Sequence, residues 1–386
     1  MTRIRVLVVD DSVVVRRLVS DILSADPNIE VVGTAANGKV ALAKIPQTNP
    51  DLITLDIEMP VMDGLETLLE LRRDYPKLPV IMFSTLTERG ATATLDALER
   101  GARDYVTKPA NVGSVTASME AVRAQLVPKI LALCPRPGAA SALGASAPAR
   151  AGVRRPATPA VPGRGTAPTP ATRPGPAREH RVDVVAIGVS TGGPDALTTV
   201  LAALPADFPV PIVVVQHMPP VFTKQFADRL NTRCAVSVSE ALPGDRVRPG
   251  HVLIAPGDYH MRLRRSGEHT LVTLDQGTPE NYCRPAVDVL FRSVAENYGP
   301  NVLAVVLTGM GSDGARAAAD IVAAGGSVFV QDEQTSVVWG MPGAVAGAGL
   351  AHRILPLPEV APAIVGRVRT GRPALGTASA LEEVRS

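Results

Sequence analysis

Three side chains with complementary chemistry follow apolar runs that are typical of buried β-strands. A serine follows VDVVAIGV, a histidine follows PIVVVQ, and an aspartate follows NVLAVVLTGMGS; these are Ser190, His217 and Asp313. A serine hydroxyl needs a base to take its proton, and the base needs an acceptor that fixes its tautomer. Because the carboxyl ends of parallel strands meet at one edge of a sheet, the three can act as nucleophile, base and orienting acid.

The glycine-rich turn around Ser190, with the letters GVSTGGP, admits three interpretations. It satisfies the G-x-S-x-G pattern of a nucleophile elbow, which lifts a serine off the end of a strand. It also fits a cradle for a phosphate or a dinucleotide, or a tight turn without chemistry. A dinucleotide site would place Asp or Glu at the end of the next strand, where His217 stands, so this difference favours a nucleophile.

Other side chains compete for the roles of base and acid. The alternatives are His251 and His260 as the base, and Asp195, Asp258 and Asp288 as the acid. Asp313 itself could be a helix N-cap. The chain order Ser, His, Asp differs from that of the α/β-hydrolases, so the elbow pattern does not predict that fold. With a histidine base, activity is expected to rise with pH near its ordinary value of about 6.5.

Acidic residues near the N-terminus indicate a second chemical site. They follow predicted strands, as do a serine and a lysine further on: Asp10, Asp11, Asp56, Ser84 and Lys108. Three carboxylates at one sheet edge repel one another unless a cation lies among them, and Mg²⁺ prefers such oxygen ligands. Helix N-caps are the alternative. With Lys108 to hold phosphoryl oxygens, Asp56 is interpreted as a nucleophile that becomes an acyl phosphate.

The elements around these residues alternate between strand and helix. In the first part of the chain, the runs IRVLVV, VVGTA, DLITL, PVIMF and DYVTK are separated by helical spacing, as at 13–25 and 65–75. In the second part, two strand-glycine turn-helix units are joined by helices at 222–233 and 285–298 and by a hairpin around Gly267. The predicted fold class is α/β, with two doubly wound parallel-sheet domains, the first flavodoxin-like and the second Rossmann-like.

Composition sets the limits of these domains and excludes some partners. We predict domains at 1–125 and 182–368, a flexible Pro/Ala/Arg-rich linker at 126–181 and a disordered tail at 369–386. The net charge of +2, from 39 basic and 37 acidic residues, indicates neither a nucleic-acid partner nor an anionic membrane. The three cysteines lack metal or redox spacing, and no apolar run reaches membrane-spanning length. A cytoplasmic protein without membrane insertion is expected.

The first domain resembles the receiver domain of two-component response regulators over residues 1–125, through VDDS, DIEMPVMDG, FSTL and YVTKP. The resemblance implies that a histidine kinase is the phosphoryl donor for Asp56. It implies that Mg²⁺ is bound by Asp11, Asp56 and the backbone carbonyl of Glu58, with Asp10 supporting. It also implies switch and phosphate-contact roles for Ser84, Tyr105 and Lys108.

The second domain resembles the catalytic domain of chemotaxis protein-glutamate methylesterases, through GVSTGGP, VVVQHMP, IAPGDYHM, LTGMGSDGA and QDEQTSVVWGMPGA. With the receiver and linker, the chain resembles CheB-type response regulators. The resemblance implies a triad of Ser190, His217 and Asp313 that needs no cofactor. Its implied substrates are glutamyl methyl esters and selected glutamines on chemoreceptors. The Met310 backbone is an implied oxyanion contributor, and Thr191 flanks the nucleophile.

Two other classes of response regulator remain to be weighed. A DNA-binding output domain is disfavoured because the second domain is rich in strands and lacks a basic recognition helix. The alternative function is an output domain that binds a nucleotide or another small ligand. An active-serine probe separates the two hypotheses, because only the hydrolase would be labelled at Ser190.

Overall fold

The computed structural model describes residues 3–108, 115–135 and 180–370. Its first domain alternates strands with helices. Strands β1 to β5 are Ile4–Val9, Ile29–Ala35, Leu52–Asp56, Val80–Ser84 and Asp104–Thr107. Helices α1 to α5 are Val13–Ser24, Gly38–Thr48, Gly64–Asp74, Glu88–Glu99 and Val115–Leu133.

The five strands of the first domain form one parallel sheet in the order β2-β1-β3-β4-β5. This order is the flavodoxin-like one, and it confirms the predicted doubly wound sheet. The central strands β3 and β4 are buried along their whole length, as expected for strands covered by helices on both faces. The carboxyl ends of β1 and β3 are adjacent, which brings Asp10 and Asp56 to one edge.

Helix α5 passes the predicted end of the first domain at residue 125 and continues to Leu133. Leu126 and Ile130 are fully buried in the core beneath the sheet. A proline inside a helix ordinarily costs about 3 kcal/mol, and Pro128 lies within this one. Burial of apolar side chains offsets that cost, so the helix continues through the proline. The predicted linker begins too early, and its residues 136–179 lie outside the described part of the chain.

The second domain contains a larger sheet. Strands β6 to β14 are Val184–Val189, Ile212–Gln216, Ser237–Glu240, His251–Ile254, His260–Ser266, His269–Asp275, Val302–Val306, Ser327–Gln331 and Arg353–Leu355. Helices α6 to α11 are Gly193–Ala202, Phe222–Arg233, Val287–Tyr298, Ala315–Ala323, Met341–Gly347 and Leu357–Arg369.

Seven of these strands form a parallel sheet in the order β14-β13-β12-β6-β7-β9-β8. Strands β10 and β11 pair separately as the predicted antiparallel hairpin, which turns between Ser266 and His269. Strands β12, β6 and β7 lie side by side at the centre, and every residue in them is buried. The three strands that precede the predicted catalytic residues are therefore neighbours, and the predicted second parallel sheet is confirmed.

The two domains contact each other through helices and through the end of β5. Helix α4 of the first domain packs against α6 and α7 of the second. Arg229 on α7 donates hydrogen bonds to Asp96 at 2.6 Å and to Glu99 at 2.8 Å, both on α4. The rings of Tyr105 and Phe222 stack with their centroids 4.8 Å apart. An apolar stack is thus bordered by ion pairs at this interface.

Two further predictions concern a disordered tail and the lack of a membrane-spanning segment. The predicted tail falls almost entirely on residues 371–386, which are outside the described ranges. Among the helices that the structure describes, none is long and apolar enough to cross a membrane.

Candidate active site

Ser190 follows the last residue of β6 and is fixed by hydrogen bonds of its own backbone. Its N–H donates to the Thr308 carbonyl at 3.0 Å, and its carbonyl accepts from the Gly193 N–H at 2.8 Å. The side-chain amide of Gln216 also donates to that carbonyl at 3.1 Å. Gly192 has a φ of +74°, which a glycine adopts without strain. The segment therefore makes the sharp strand-to-helix turn that the elbow pattern requires.

His217 follows β7, next to the Ser190 turn, and is paired with Asp313. His217 Nε2 lies 2.8 Å from Asp313 Oδ2. The side chain of His217 is 12% exposed and that of Asp313 is 3% exposed, so water screens the pair weakly. The structure brings together the base and the orienting acid that the sequence predicted, from the ends of two strands that flank β6.

Asp313 also anchors the start of a helix. Its Oδ2 accepts the Val287 N–H at 2.7 Å, and its Oδ1 accepts the N–H groups of Asp288 and Gly314 at 3.0 and 2.9 Å. Helix α8 begins at Val287, so this carboxylate lies at the positive end of the α8 dipole. The helix-capping alternative thus holds beside the catalytic interpretation, although the helix concerned is chiefly α8 rather than α9, which follows Asp313.

The second nitrogen of His217 faces a cysteine. His217 Nδ1 lies 3.6 Å from Cys283 Sγ. The Ser190 hydroxyl makes no hydrogen bond with any described residue, so it does not contact this nitrogen in the resting structure. Burial alone would lower the pKa of His217, but its contacts with Cys283 and Asp313 outweigh burial and raise the pKa above the ordinary value of 6.5. His217 is therefore held as an imidazolium near neutral pH, and it must lose a proton before it can act as a base.

The competing residues have other partners. His251 lies 3.1 Å from the Ser239 hydroxyl, and the buried His260 lies 3.1 Å from the Thr278 carbonyl. The possible acids are likewise placed away from His217: Asp195 is exposed on α6, Asp258 pairs with Arg284, and Asp288 accepts the Ala317 N–H. These contacts favour Asp313 as the partner of the base.

The turn after β12 adjoins Ser190. A Cβ atom added at Gly309 would lie 2.8 Å from the Cβ of Ser190, so only a glycine permits this approach. The carbonyl of Gly309 accepts the N–H groups of Gly340 and Met341, which fixes the turn. The N–H of Met310, the next residue, donates to no acceptor among the described residues. This amide is free to donate to a substrate oxygen.

Thr191 is not free to contact a substrate in this arrangement. Its hydroxyl donates to Asp104 Oδ2 of the first domain at 2.7 Å, and both side chains are buried. Asp104 also forms an ion pair with Lys129 at 2.8 Å. The residue that follows Ser190 is thus bonded to the first domain, a contact that no motif in the sequence indicates.

The acidic cluster of the first domain has the predicted members. Ligand oxygens of Asp10, Asp11 and Asp56 lie within 4.8 Å of one another. Lys108 Nζ lies 2.8 Å from Asp56 Oδ2 and 3.1 Å from Asp10 Oδ2. Burial raises the pKa of Asp56 to about 6; Lys108 opposes this shift and Asp10 adds to it. Three carboxylates against one ammonium leave room for a divalent cation.

Of the remaining predicted residues, Ser84 lies at the same edge of the first sheet, whereas Tyr105 is the second residue of β5 and lies away from that edge. Ser84 is buried, and its hydroxyl donates to the Gly90 carbonyl at 3.1 Å. Tyr105 points away from the acidic cluster, toward the stack with Phe222. The side chain of Glu58 forms an exposed ion pair with Arg89, so only its backbone carbonyl remains for the ligand role.

Comparisons with known proteins agree with this architecture. The CheB methylesterase family model matches residues 185–364, and the response regulator receiver domain model matches residues 6–120. A curated relative from Nocardioides sp. (strain ATCC BAA-499 / JS614), named protein-glutamate methylesterase/protein-glutamine glutaminase, is 56% identical over 99% of this chain and 100% of its own length. The chain belongs to the CheB methylesterase family.

Other similar proteins carry the same description. A relative from Trichodesmium erythraeum (strain IMS101), also named protein-glutamate methylesterase/protein-glutamine glutaminase, is 51% identical and covers 95% of this CheB-family chain and 100% of its own length. The crystal structure of the Thermotoga maritima CheB methylesterase catalytic domain is 43% identical, with a TM-score of 0.47, and covers 48% of this chain and 99% of that one. The alternative of a nucleotide-binding output domain receives no support from these relatives.

Proposed function

We propose that this CheB-family protein is a phosphorylation-regulated serine hydrolase in which Ser190, His217 and Asp313 act as nucleophile, base and orienting acid. Its substrates are glutamyl methyl esters and selected glutamines on the cytoplasmic domains of chemoreceptors, and its activity supports sensory adaptation. The observation that carries this proposal is the 2.8 Å contact between His217 and Asp313 beside the Ser190 turn, at three adjacent strand ends.

The reaction begins with proton transfer from Ser190 to His217. Because Asp313 occupies Nε2, the proton is accepted at Nδ1, the nitrogen that faces Cys283 in the resting structure. The Ser190 oxygen then attacks the side-chain carbonyl of the substrate, and the Met310 N–H stabilises the oxyanion. Removing one such donor typically costs about 3 to 4 kcal/mol of barrier.

The second half of the reaction reuses the same groups. His217 gives its proton to the departing methanol or ammonia, which leaves an acyl-enzyme on Ser190. It then takes a proton from a water molecule as that water attacks the ester carbonyl. The histidine returns the proton to the Ser190 oxygen, which leaves as the hydroxyl and frees the glutamate product. Asp313 stabilises the imidazolium at each stage, because its carboxylate is buried and its pKa is lowered by hydrogen bonds from His217 and the backbone, despite burial.

Regulation is proposed to act through the domain interface. The bond from Thr191 to Asp104 and the stack of Phe222 on Tyr105 hold the receiver against the nucleophile turn and the start of α7. In this position the receiver restricts access of a large substrate to Ser190. Phosphorylation of Asp56 by a histidine kinase is expected to change β5, which carries Asp104 and Tyr105, and to weaken this contact.

The acidic cluster fits Mg²⁺, which is proposed as the ion needed for phosphorylation. Asp11 and Asp56 would supply oxygen ligands together with the Glu58 carbonyl that the resemblance implies, and the nearby Asp10 would support them. When bound, the ion neutralises charge on the transferred phosphoryl group. Asp56 then attacks phosphorus, while Lys108 holds a phosphoryl oxygen. The hydrolysis at Ser190 needs no cofactor in this scheme.

Weakening the domain interface should raise the resting activity. Arg229→Ala removes both ion pairs with α4, and partly exposed pairs are worth about 0.2 to 1 kcal/mol each. The unphosphorylated variant is therefore expected to release methanol from methylated receptor about two- to thirtyfold faster than the wild type. Arg233→Ala is the matched control, since Arg233 makes one, more exposed pair with Glu99 and should have a smaller effect.

The same assay tests the role of Asp56. Acetyl phosphate with Mg²⁺ should raise the rate of the wild type but leave an Asp56→Asn variant unchanged. A fragment that begins at residue 181 should be faster than the resting full-length protein. If the fragment and Arg229→Ala are no faster than the wild type, the receiver does not restrict the site.

The pH dependence follows from the raised pKa of His217. The imidazolium cannot accept a proton, so kcat/KM should increase as pH rises through that pKa, with a midpoint above 6.5. A profile of methanol release against pH checks this expectation. A midpoint at or below 6.5 would show that the contacts of His217 do not persist in the free enzyme.

A further inference from the structure

The segment 281–283 touches both ends of the His217–Asp313 pair. The side-chain amide of Asn281 donates to Asp313 Oδ1 at 2.8 Å and to Asp288 Oδ2 at 2.9 Å. Two residues later, Cys283 Sγ lies 3.6 Å from His217 Nδ1. One short segment therefore supplies a contact to the acid and a contact to the base.

This segment is held in place by its own bonds. The backbones of Glu280 and Cys283 exchange two hydrogen bonds, at 3.1 and 2.9 Å. The Glu280 carboxylate forms a two-point ion pair with Arg292 on α8. Asn281 has a φ of +53°, a conformation that Asn adopts more readily than most residues. The amide and the thiol are thus presented from a fixed backbone.

Asn281 also separates two buried carboxylates. Asp288 is 0% exposed and Asp313 is 2% exposed, so their charges are weakly screened. Two carboxylates that share a site repel each other, and one of them tends to take up a proton. The amide of Asn281 gives one N–H to each. Asp313 can therefore stay ionised, with its second oxygen directed at His217.

We propose that Asn281 and Cys283 are positioning residues of the hydrolase, with Asn281 holding Asp313 in place and Cys283 holding His217 Nδ1 until the Ser190 hydroxyl replaces the thiol. This inference rests on the proposed function and adds two residues to its site. Neither residue bonds to the substrate. Asn281 acts through Asp313, and Cys283 acts through His217.

Opposite effects on the protonation of His217 distinguish these two roles. Without the amide donor, any proton that the two carboxylates take up goes to Asp288, whose pKa burial already raises. The Asp313 carboxylate stays ionised, has one donor fewer and stabilises the imidazolium more strongly, so the midpoint of the pH profile moves up. Without the thiol contact, the imidazolium loses a favourable neighbour, so the midpoint moves down. The other charged groups around the pair are Asp288 and Arg292 on α8, Glu280, Arg316 on α9, and the Asp258–Arg284 ion pair. They remain unchanged in both variants.

The test uses full-length protein activated by acetyl phosphate and Mg²⁺. Asn281→Gly removes the amide and tolerates the positive φ, and Cys283→Ala removes the thiol. For each variant, kcat/KM for methanol release from methylated receptor is measured from about pH 5 to pH 10. We expect the midpoint to rise by about one pH unit in Asn281→Gly and to fall by about one in Cys283→Ala. In Asn281→Gly, kcat should also fall about tenfold.

Controls separate this inference from the function on which it rests. Cys234→Ala is the matched control, since Cys234 is also partly buried but lies at the end of α7, and its midpoint should equal that of the wild type. Labelling of wild-type Ser190 by an active-serine probe tests the hydrolase itself. If Ser190 is labelled and both variants keep the wild-type midpoint, the positioning roles are overturned, even where kcat falls. Shifts in the same direction would also overturn them. Should Asn281→Gly not fold, the Cys283→Ala arm and an Asn281→Ser variant decide the result.

Discussion

The Ser190→Ala variant is expected to lose at least about 10⁴-fold of its turnover on methylated receptor, because the reaction then has no nucleophile. The fold should not change. The Ser190 hydroxyl makes no hydrogen bond with the described residues, and the Cβ that packs near Gly309 is retained in alanine. Methanol release and thermal unfolding, measured on the same preparation, check both statements.

A surface serine provides the control for this variant. Ser237 is exposed on β8, away from the Ser190 edge, so Ser237→Ala should keep wild-type turnover. Retention of more than a few per cent of activity in Ser190→Ala would remove the serine from the mechanism. The next candidate nucleophile would be Cys283, whose Sγ lies 3.6 Å from His217 Nδ1.

The Asp313→Asn variant is expected to be slower by up to about 10⁴-fold, the loss seen when a triad carboxylate is replaced by its amide. The amide cannot stabilise the imidazolium as a carboxylate does. The change should also lower stability. Asp313 accepts hydrogen bonds at both oxygens from the backbones of Val287, Asp288 and Gly314, and the NH₂ group that replaces one oxygen cannot accept the bonds made there.

The helix-anchoring role of Asp313 calls for a control that lowers stability alone. Asp288→Asn alters a neighbouring buried carboxylate that accepts the Ala317 N–H but does not touch His217. It should unfold at a lower temperature and keep most of its turnover. If Asp313→Asn behaves in the same way, its carboxylate serves only the helix, and His217 needs no orienting acid.

Much of the fold could be predicted because local patterns and burial agree. The apolar spacing at 222–233 gives α7 with the same bounds that the structure shows, and the β-branched runs give the buried strands. The predicted domain boundary at residue 125 falls short of the end of helix α5, which continues through Pro128 to Leu133. Burial of the apolar side chains of this helix in the core stabilises it by more than the proline destabilises it. This burial depends on tertiary packing, so the local sequence does not show it.

Part of the candidate site could be predicted from the sequence for a geometric reason. Residues that follow adjacent parallel strands must meet at one edge, which is why Ser190, His217 and Asp313 could be selected from sequence alone. Asn281 and Cys283 follow no parallel strand, and a tertiary loop brings them to the pair. Asp104 reaches Thr191 only because two domains dock, and no pattern within either domain encodes that contact.

In the proposed mechanism Ser190 is a nucleophile, and the receiver controls access to it. The rate at which a fluorophosphonate labels Ser190 in the full-length protein, with the labelled peptide identified by mass spectrometry, tests both parts of this mechanism. We expect labelling at Ser190, slow in the resting protein and about tenfold faster after addition of acetyl phosphate and Mg²⁺, with no such increase in Asp56→Asn. Labelling at another residue, or an equal rate at Ser190 in all three samples, would contradict this mechanism.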